Sequence, residues 1–256
     1  MAYIEDGWQQ GTFAPGRPSY TRIGSERRFG VELEYQDLPE SVFDLEGKTV
    51  FGAKEDCSVS GGEFDSPILY GDQGLEAVEE FCKYATDECF TPGRGAGYHL
   101  HLDMTNESHD GLKRIALGYH YTKDLWLGAV PSNRREFTYS RPHNWGRRDV
   151  LAWQTRQEAR DFFGRLDRYL WLHMYSYCRH RTYEIRCHES VIDGFTVNAW
   201  AIAHTRFCDA MAEMTVGKIT RTFGNKKPAE LMREIRAVLQ CPDVSEHLKK
   251  RYTEFN

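Results

Sequence analysis

Long apolar runs are missing from this chain of 256 residues. None approaches the roughly 18–20 residues that a membrane span needs, so no membrane-spanning helix is expected. Cys-x-x-Cys pairs are missing too. The seven cysteines, Cys57, Cys82, Cys89, Cys178, Cys187, Cys208 and Cys241, are odd in number. This argues against a disulfide framework or a zinc knuckle and predicts a reducing, cytoplasmic setting with the thiols as small core residues. Positive charge is not in excess. With a net charge of −5, nothing draws the whole chain toward nucleic acid or an anionic membrane. The first twenty residues lack a basic segment followed by an apolar one, so no secretory leader is expected. Residues 1–24 are rich in Gly and Pro and are expected to be a poorly ordered arm. No Pro/Gly/Ser-rich linker divides the remainder, and 25–256 is expected to be one domain.

A hydrophobic content of 40% and a charged content of 28% suit an ordinary globular protein. Phe29, Val31, Leu33 and Tyr35 alternate with Gly30, Glu32 and Glu34, the pattern of a half-buried strand. A short strand is expected over 48–54, a turn at Asp56-Cys57-Ser58, and a third strand from Gly61-Gly62 to Pro67. Leu75, Val78, Phe81, Cys82 and Ala85 recur at helical spacing behind Asp72, a candidate N-cap. A loop follows over 91–97, then a strand over 98–104 and a long helix capped near Ser108. Periodicity leaves 169–177 open between a strand and a helix end. The stretch 182–188 alternates as a strand, 195–216 reads as a largely buried helix, and Pro228 suits the first turn of another. A last amphipathic piece starts near Ser245. The class is α+β.

Four of these segments carry ionisable residues at every second position. They are Glu32-Leu33-Glu34, Glu63-Phe64-Asp65, His99-Leu100-His101-Leu102-Asp103 and Glu184-Ile185-Arg186-Cys187-His188. A strand sends successive side chains to opposite faces, so each segment would gather its charged groups on one face. Glu32 and Glu34 would stand about 6.5–7 Å apart, close enough for a cation between them to relieve their repulsion. Gly30 leaves room beside them. In H-x-H-x-D, two or three groups could reach one ion. Gly93-Arg94-Gly95-Ala96-Gly97 ahead of it reads either as an anion-binding loop or as a plain turn. Glu184 and Arg186 read either as a structural ion pair or as a metal ligand beside a phosphate-binding guanidinium. Arg134, Arg135, Arg141, Arg147 and Arg148 crowd an aperiodic stretch, 131–149, which is a candidate lid over a triphosphate or a solvated loop. Taken together, oxygen donors, histidines and arginine suit Mg²⁺ and ATP.

In order and wording these segments resemble the amidoligase family, a branch of the carboxylate–amine ligases related to glutamine synthetase and glutamate–cysteine ligase. The resemblance rests on 29–35, on Asp56-Cys57-Ser58 with 62–67, on 95–103, and on 182–189, with the helix around Trp200 in support. It implies a curved, mostly antiparallel sheet with helices on its convex face and the ligand site on the other, a glutamine-synthetase-like catalytic fold. It implies an enzyme that uses ATP and Mg²⁺, or Mn²⁺, to join a carboxylate substrate to an amine substrate through an acyl phosphate. Small molecules, peptides and modified nucleobases are all candidate substrates. Glu32, Glu34, Glu63, His99 and Glu184 are then metal ligands, and Arg186 and Glu184 catalytic. His101, Arg186 and Arg141 are expected to hold the nucleotide. The chain departs from the family pattern at Cys57, where a glycine is common, and at Glu189-Ser190, where Gly-Thr is common. Two other readings of the same residues stay open: a metal-dependent hydrolase built on H-x-H, and a non-catalytic nucleotide-binding relative.

Overall fold

A computed structural model describes residues 23–36, 38, 49–55, 61–93 and 95–256. The expected N-terminal arm lies, up to residue 22, outside the described residues. So do the turn at Asp56-Cys57-Ser58 and Arg94 of the glycine-rich loop.

Strands form in each region where one was expected, and one more forms inside the open stretch 169–177. They are β1 (Phe29–Tyr35), β2 (Gly52–Glu55), β3 (Gly62–Asp65), β4 (Gly97–Asp103), β5 (Leu172–His173) and β6 (Thr182–Glu189). They make one six-stranded sheet in the order β2-β3-β1-β4-β6-β5, with every paired neighbour antiparallel. The fold is α+β, as expected. Register carries the chemistry across the sheet. Glu34 lies opposite Glu63, and Glu32 opposite Asp65. On the other side of β1, Glu32 faces His99. His101 is opposite Glu184, and Glu184 opposite His173.

The other face of the sheet is apolar. Val31, Leu33, Tyr35, Phe64, Leu100, Leu102 and Ile185 are buried in the core. Against it pack α1 (Gly71–Asp87), α2 (His109–Gly128) and α7 (Gly194–Glu213), with α8 (Val216–Phe223), α9 (Pro228–Leu239) and α10 (Pro242–Glu254) behind. Ser108 caps α2, its Oγ accepting the Gly111 N–H at 3.0 Å. Asp72 does not cap α1. Tyr70 takes the N-cap position, and Asp72 in the first turn instead accepts the Ile23 N–H at 2.9 Å. Trp126, Trp200, His204 and Phe207 interlock between α2 and α7. Burying aromatic side chains of this size accounts for much of the stability, since truncating one costs about 3–5 kcal/mol.

Between α2 and β6 the chain makes an excursion of short elements: α3 (Ser132–Arg135), α4 (Arg147–Leu151), α5 (Arg156–Gly164) and α6 (Ser176–His180), with β5 at the sheet edge. Most are too short to show a period; α5 alone carries a readable start, the capping box of Thr155 and Glu158. The undecided stretch 169–177 resolves into the two-residue β5 followed by the start of α6.

One expected face is corrected. Tyr98 pairs with His188 but Leu100 pairs with Ile185, so one residue of β4 is opposed by two of β6. The extra residue of this bulge reverses the alternation. His188 therefore leaves the face of Glu184 and Arg186. It packs fully buried against Trp200, with ring centroids 4.8 Å apart.

Candidate active site

The charged face opens into a cavity of about 580 Å³. All six strands contribute to it: Glu32 and Glu34 from β1, Lys54 from β2, Glu63 from β3, His99 and His101 from β4, His173 from β5, and Glu184 and Arg186 from β6. Each metal-site residue expected from the sequence lines this one cavity, and each is buried. Such burial of acids demands compensation.

Neighbouring side chains supply part of it. His101 Nε2 lies 2.9 Å from Glu32 Oε1, and His99 Nδ1 lies 3.2 Å from Glu32 Oε2. Burial opposes the charge on Glu32, but His101 and His99 prevail and hold its carboxyl well below the usual range. Burial likewise opposes the charge on Glu184, where Arg186, His101 and His173 overcome it and again keep the acid ionised. His173 Nδ1 is 2.6 Å from Glu184 Oε2, and Arg186 forms a close ion pair with the other oxygen. His101 is pushed up to about 9: burial resists its charge, while Glu32 and Glu184 favour it. Glu34 accepts the Gly97 N–H at 2.6 Å.

The acids of β3 are less well compensated. Burial and the charge of Glu32 push the Glu63 carboxyl up to about 10. Lys54 is the cation at hand, with Nζ 2.5 Å from Glu63 Oε1 and 2.8 Å from Asp65 Oδ2. Two sets of donors come close enough to share an ion. One is Glu32, His101 and Glu184, and the other is Glu32, Glu63 and Asp65, with donor atoms within 4.8 Å of one another in each set. Mostly oxygen and incompletely neutralised, the donors fit a hard divalent cation such as Mg²⁺.

The rest of the cavity wall is largely basic and aromatic. Arg134, Phe137, Tyr139, Arg168, Tyr169, Tyr175 and Arg179 all line it. Arg134 is 2% exposed. It donates to Arg186 O at 3.0 Å and to Gly95 O at 3.4 Å, and stacks over Phe137. Among the described residues no carboxylate oxygen lies within ion-pairing distance of it, and burial lowers its pKa. Its charge is favoured by Glu34 nearby and its N–H groups are held by carbonyls, so it keeps the capacity to take an anion.

Arg141 stands apart from the other expected site residues. It does not line the cavity; its guanidinium pairs with exposed Asp167, and its backbone bonds to Tyr169 and Trp171. Asp103 also leaves the H-x-H group, pairing with Arg28 at 2.7 Å. Sequence reasoning missed Lys54, His173 and His180 as site residues. It put Asp65 on the charged face without giving it a role, and named Arg134 only as part of the candidate lid. Those from short elements gave no periodic signal.

No family model matches the chain, and no curated protein matches it by sequence. Among solved structures, the crystal structure of a bifunctional glutathione synthetase from Pasteurella multocida matches with a TM-score of 0.54. The fold is similar to part of that synthetase. Identity is 12%, and the match covers 90% of this chain and 47% of that one, so this chain spans about half its length. At such identity the likeness concerns the fold alone. Among the described residues no helix is long and apolar enough to cross a membrane.

Proposed function

We propose that residues 25–256 form an ATP-dependent carboxylate–amine ligase with a glutamine-synthetase-like catalytic fold. The observation that carries this reading is the company of acids and guanidinium groups in one cavity. Buried acids and histidines share it with Arg186, which pairs with Glu184, and with buried Arg134, which has no ion-pair partner among the described residues. That combination suits a triphosphate whose negative charge is shared between metal ions and guanidinium groups. The synthetase fold of the structural neighbour agrees with it.

Glu32, Glu34, Glu63, His99 and Glu184 are the proposed metal ligands, with Asp65 and His101 added by the geometry. Bound there, Mg²⁺ supplies charge neutralisation on the phosphates. Arg186 and Arg134 hold phosphate oxygens, and the ring of Tyr139 or Tyr169 offers a face for a base. In the first step a carboxylate oxygen attacks the γ-phosphorus, and the bond to ADP breaks. In the second, the neutral amine attacks the acyl carbon. Phosphate departs with the electron pair of the broken C–O bond, and the nitrogen gives up a proton. Walls contributed by 134–139 and 168–180 shield the acyl phosphate from water.

A second reading is favoured by His173 and His180, which bring the cavity's histidines to four with His99 and His101. A metal-dependent hydrolase would use such ligands for a transition metal. Hydroxylamine separates the two. With ATP, Mg²⁺ and a pool of carboxylates, the ligase forms a hydroxamate and ADP. Bound zinc together with amide cleavage in the absence of ATP would establish the hydrolase.

A further inference from the structure

β2 is an edge of the sheet, and on it Lys54 stands directly opposite Glu63. A lysine on an edge strand has an ordinary use, because its charge discourages pairing with another chain. Lys54 has a different place. Its side chain lines the main cavity, and its Nζ bridges two acids, 2.5 Å from Glu63 Oε1 and 2.8 Å from Asp65 Oδ2. Among the described residues no other cation comes within ion-pairing distance of either acid. Glu63 and Asp65 also belong, with Glu32, to one of the two donor sets close enough to share a divalent ion. The ammonium thus stands between two of the three acids that would hold that ion.

We propose that Lys54 is a built-in substitute for this ion, and that a divalent cation binds at Glu32, Glu63 and Asp65 only by displacing the ammonium. The inference rests on the metal site of the ligase reading and adds to it a residue that guards entry. Three features carry it. First, the two cations need the same space. Mg²⁺ would lie about 2.0–2.1 Å from its oxygens, and the ammonium already lies against two of those carboxylates. Second, the substitute is incomplete. Glu63 and Asp65 share one positive charge, so a divalent ion neutralises what the lysine leaves over. Third, it is removable. The Lys54 side chain is 46% exposed and ends a flexible stem at the sheet edge, so it can swing away without opening the core. An arginine would grip the carboxylates through a planar fork and leave less readily. Lys54 pairs with no member of the other donor set, Glu32, His101 and Glu184, so it guards one ion and not the other.

The test titrates Mn²⁺ into metal-free protein without nucleotide, counting free ions by their paramagnetic resonance signal. Wild type, Lys54→Met, Lys54→Arg, and Lys54→Met combined with Asp65→Asn are compared. Lys54→Met should bind one ion at least about tenfold more tightly than wild type does. Lys54→Arg should bind it as weakly as wild type, or more weakly. Adding Asp65→Asn to Lys54→Met should abolish the gain, which locates the gained ion at the β3 acids. Lys54→Gln, which keeps a donor for those acids, takes the place of Lys54→Met should that variant not fold. The proposal is overturned if removing the ammonium leaves Mn²⁺ affinity unchanged or lowers it, as a purely structural ion pair predicts, or if the gain survives Asp65→Asn. Hydroxamate formation by wild type with ATP and Mg²⁺ is read separately. Its absence sinks the ligase reading, whereas hydroxamate together with unaltered Mn²⁺ binding in the variants sinks only the role given to Lys54.

Discussion

Gly97 lies beneath the guanidinium of Arg134: a Cβ on residue 97 would come within 2.6 Å of Arg134 Nη2. The close approach lets Arg134 reach the carbonyls of Gly95 and Arg186 while buried at the cavity wall. Gly97→Ala is expected to displace the guanidinium. Losing one charge-assisted contact to a phosphate costs about 1.5–3 kcal/mol, so Mg-ATP affinity should fall about tenfold or more. Calorimetric titration checks this, and an unchanged affinity would make Arg134 a brace for the backbone instead.

Glu34→Gln keeps an acceptor for the Gly97 N–H and removes one charge from the crowded acids. Without metal, the variant should melt at or above the wild-type temperature, because like charges are relieved. The rise in melting temperature on adding Mg²⁺ and ATP should shrink. A variant that melts lower yet keeps the full ligand-induced rise would remove Glu34 from the proposed metal site.

Arg186→Lys keeps the charge but loses the planar fork that pairs with Glu184 and reaches Tyr139 O at 3.3 Å. Turnover should fall by about tenfold to a hundredfold, with nucleotide affinity falling much less. A purely structural pair would show the opposite: lower thermal stability with little change in turnover per folded molecule.

Three core histidines set an acid limit on stability. Burial lowers His143 to about 3 and His188 to about 4, and holds His204 well below its ordinary value. In the unfolded chain each titrates near about 6.5. Below that pH the unfolded state binds protons that the native state does not. Stability is therefore full above about pH 6.5 and declines by about 1.4 kcal/mol per pH unit for each such histidine as pH falls toward its native value. Urea melts at pH 7.5, 6 and 5 should show this. His188→Gln and His204→Gln, compared with wild type at each pH, should show a shallower decline.

Much of the site was legible because period-two alternation places side chains by geometry alone. Glu32, Glu34, Glu63, His99 and His101 each reached the face that their spacing gave them. His188 did not, since a bulge adds a residue whose only sign is the register of the partner strand. Arg134 and Arg141 were indistinguishable in sequence. Which one turns inward depends on the four-residue α3 and on Gly97, 37 positions before Arg134, and neither leaves a periodic trace. His173 sits on a strand of two residues, too short for any pattern. The large helices were plain from their apolar faces and caps, as at Ser108 and Pro228.

The central claim is that the acid is activated by transfer of the γ-phosphoryl group. It is tested most directly by following oxygen-18 from a labelled carboxylate through one round of ligation. The account predicts ADP as the nucleotide product and one labelled oxygen in the released inorganic phosphate, since the acyl phosphate expels that oxygen when the amine attacks. Label in AMP with release of pyrophosphate would show an adenylate instead, and phosphate free of label would show that the acid was never phosphorylated. Either result would contradict the account.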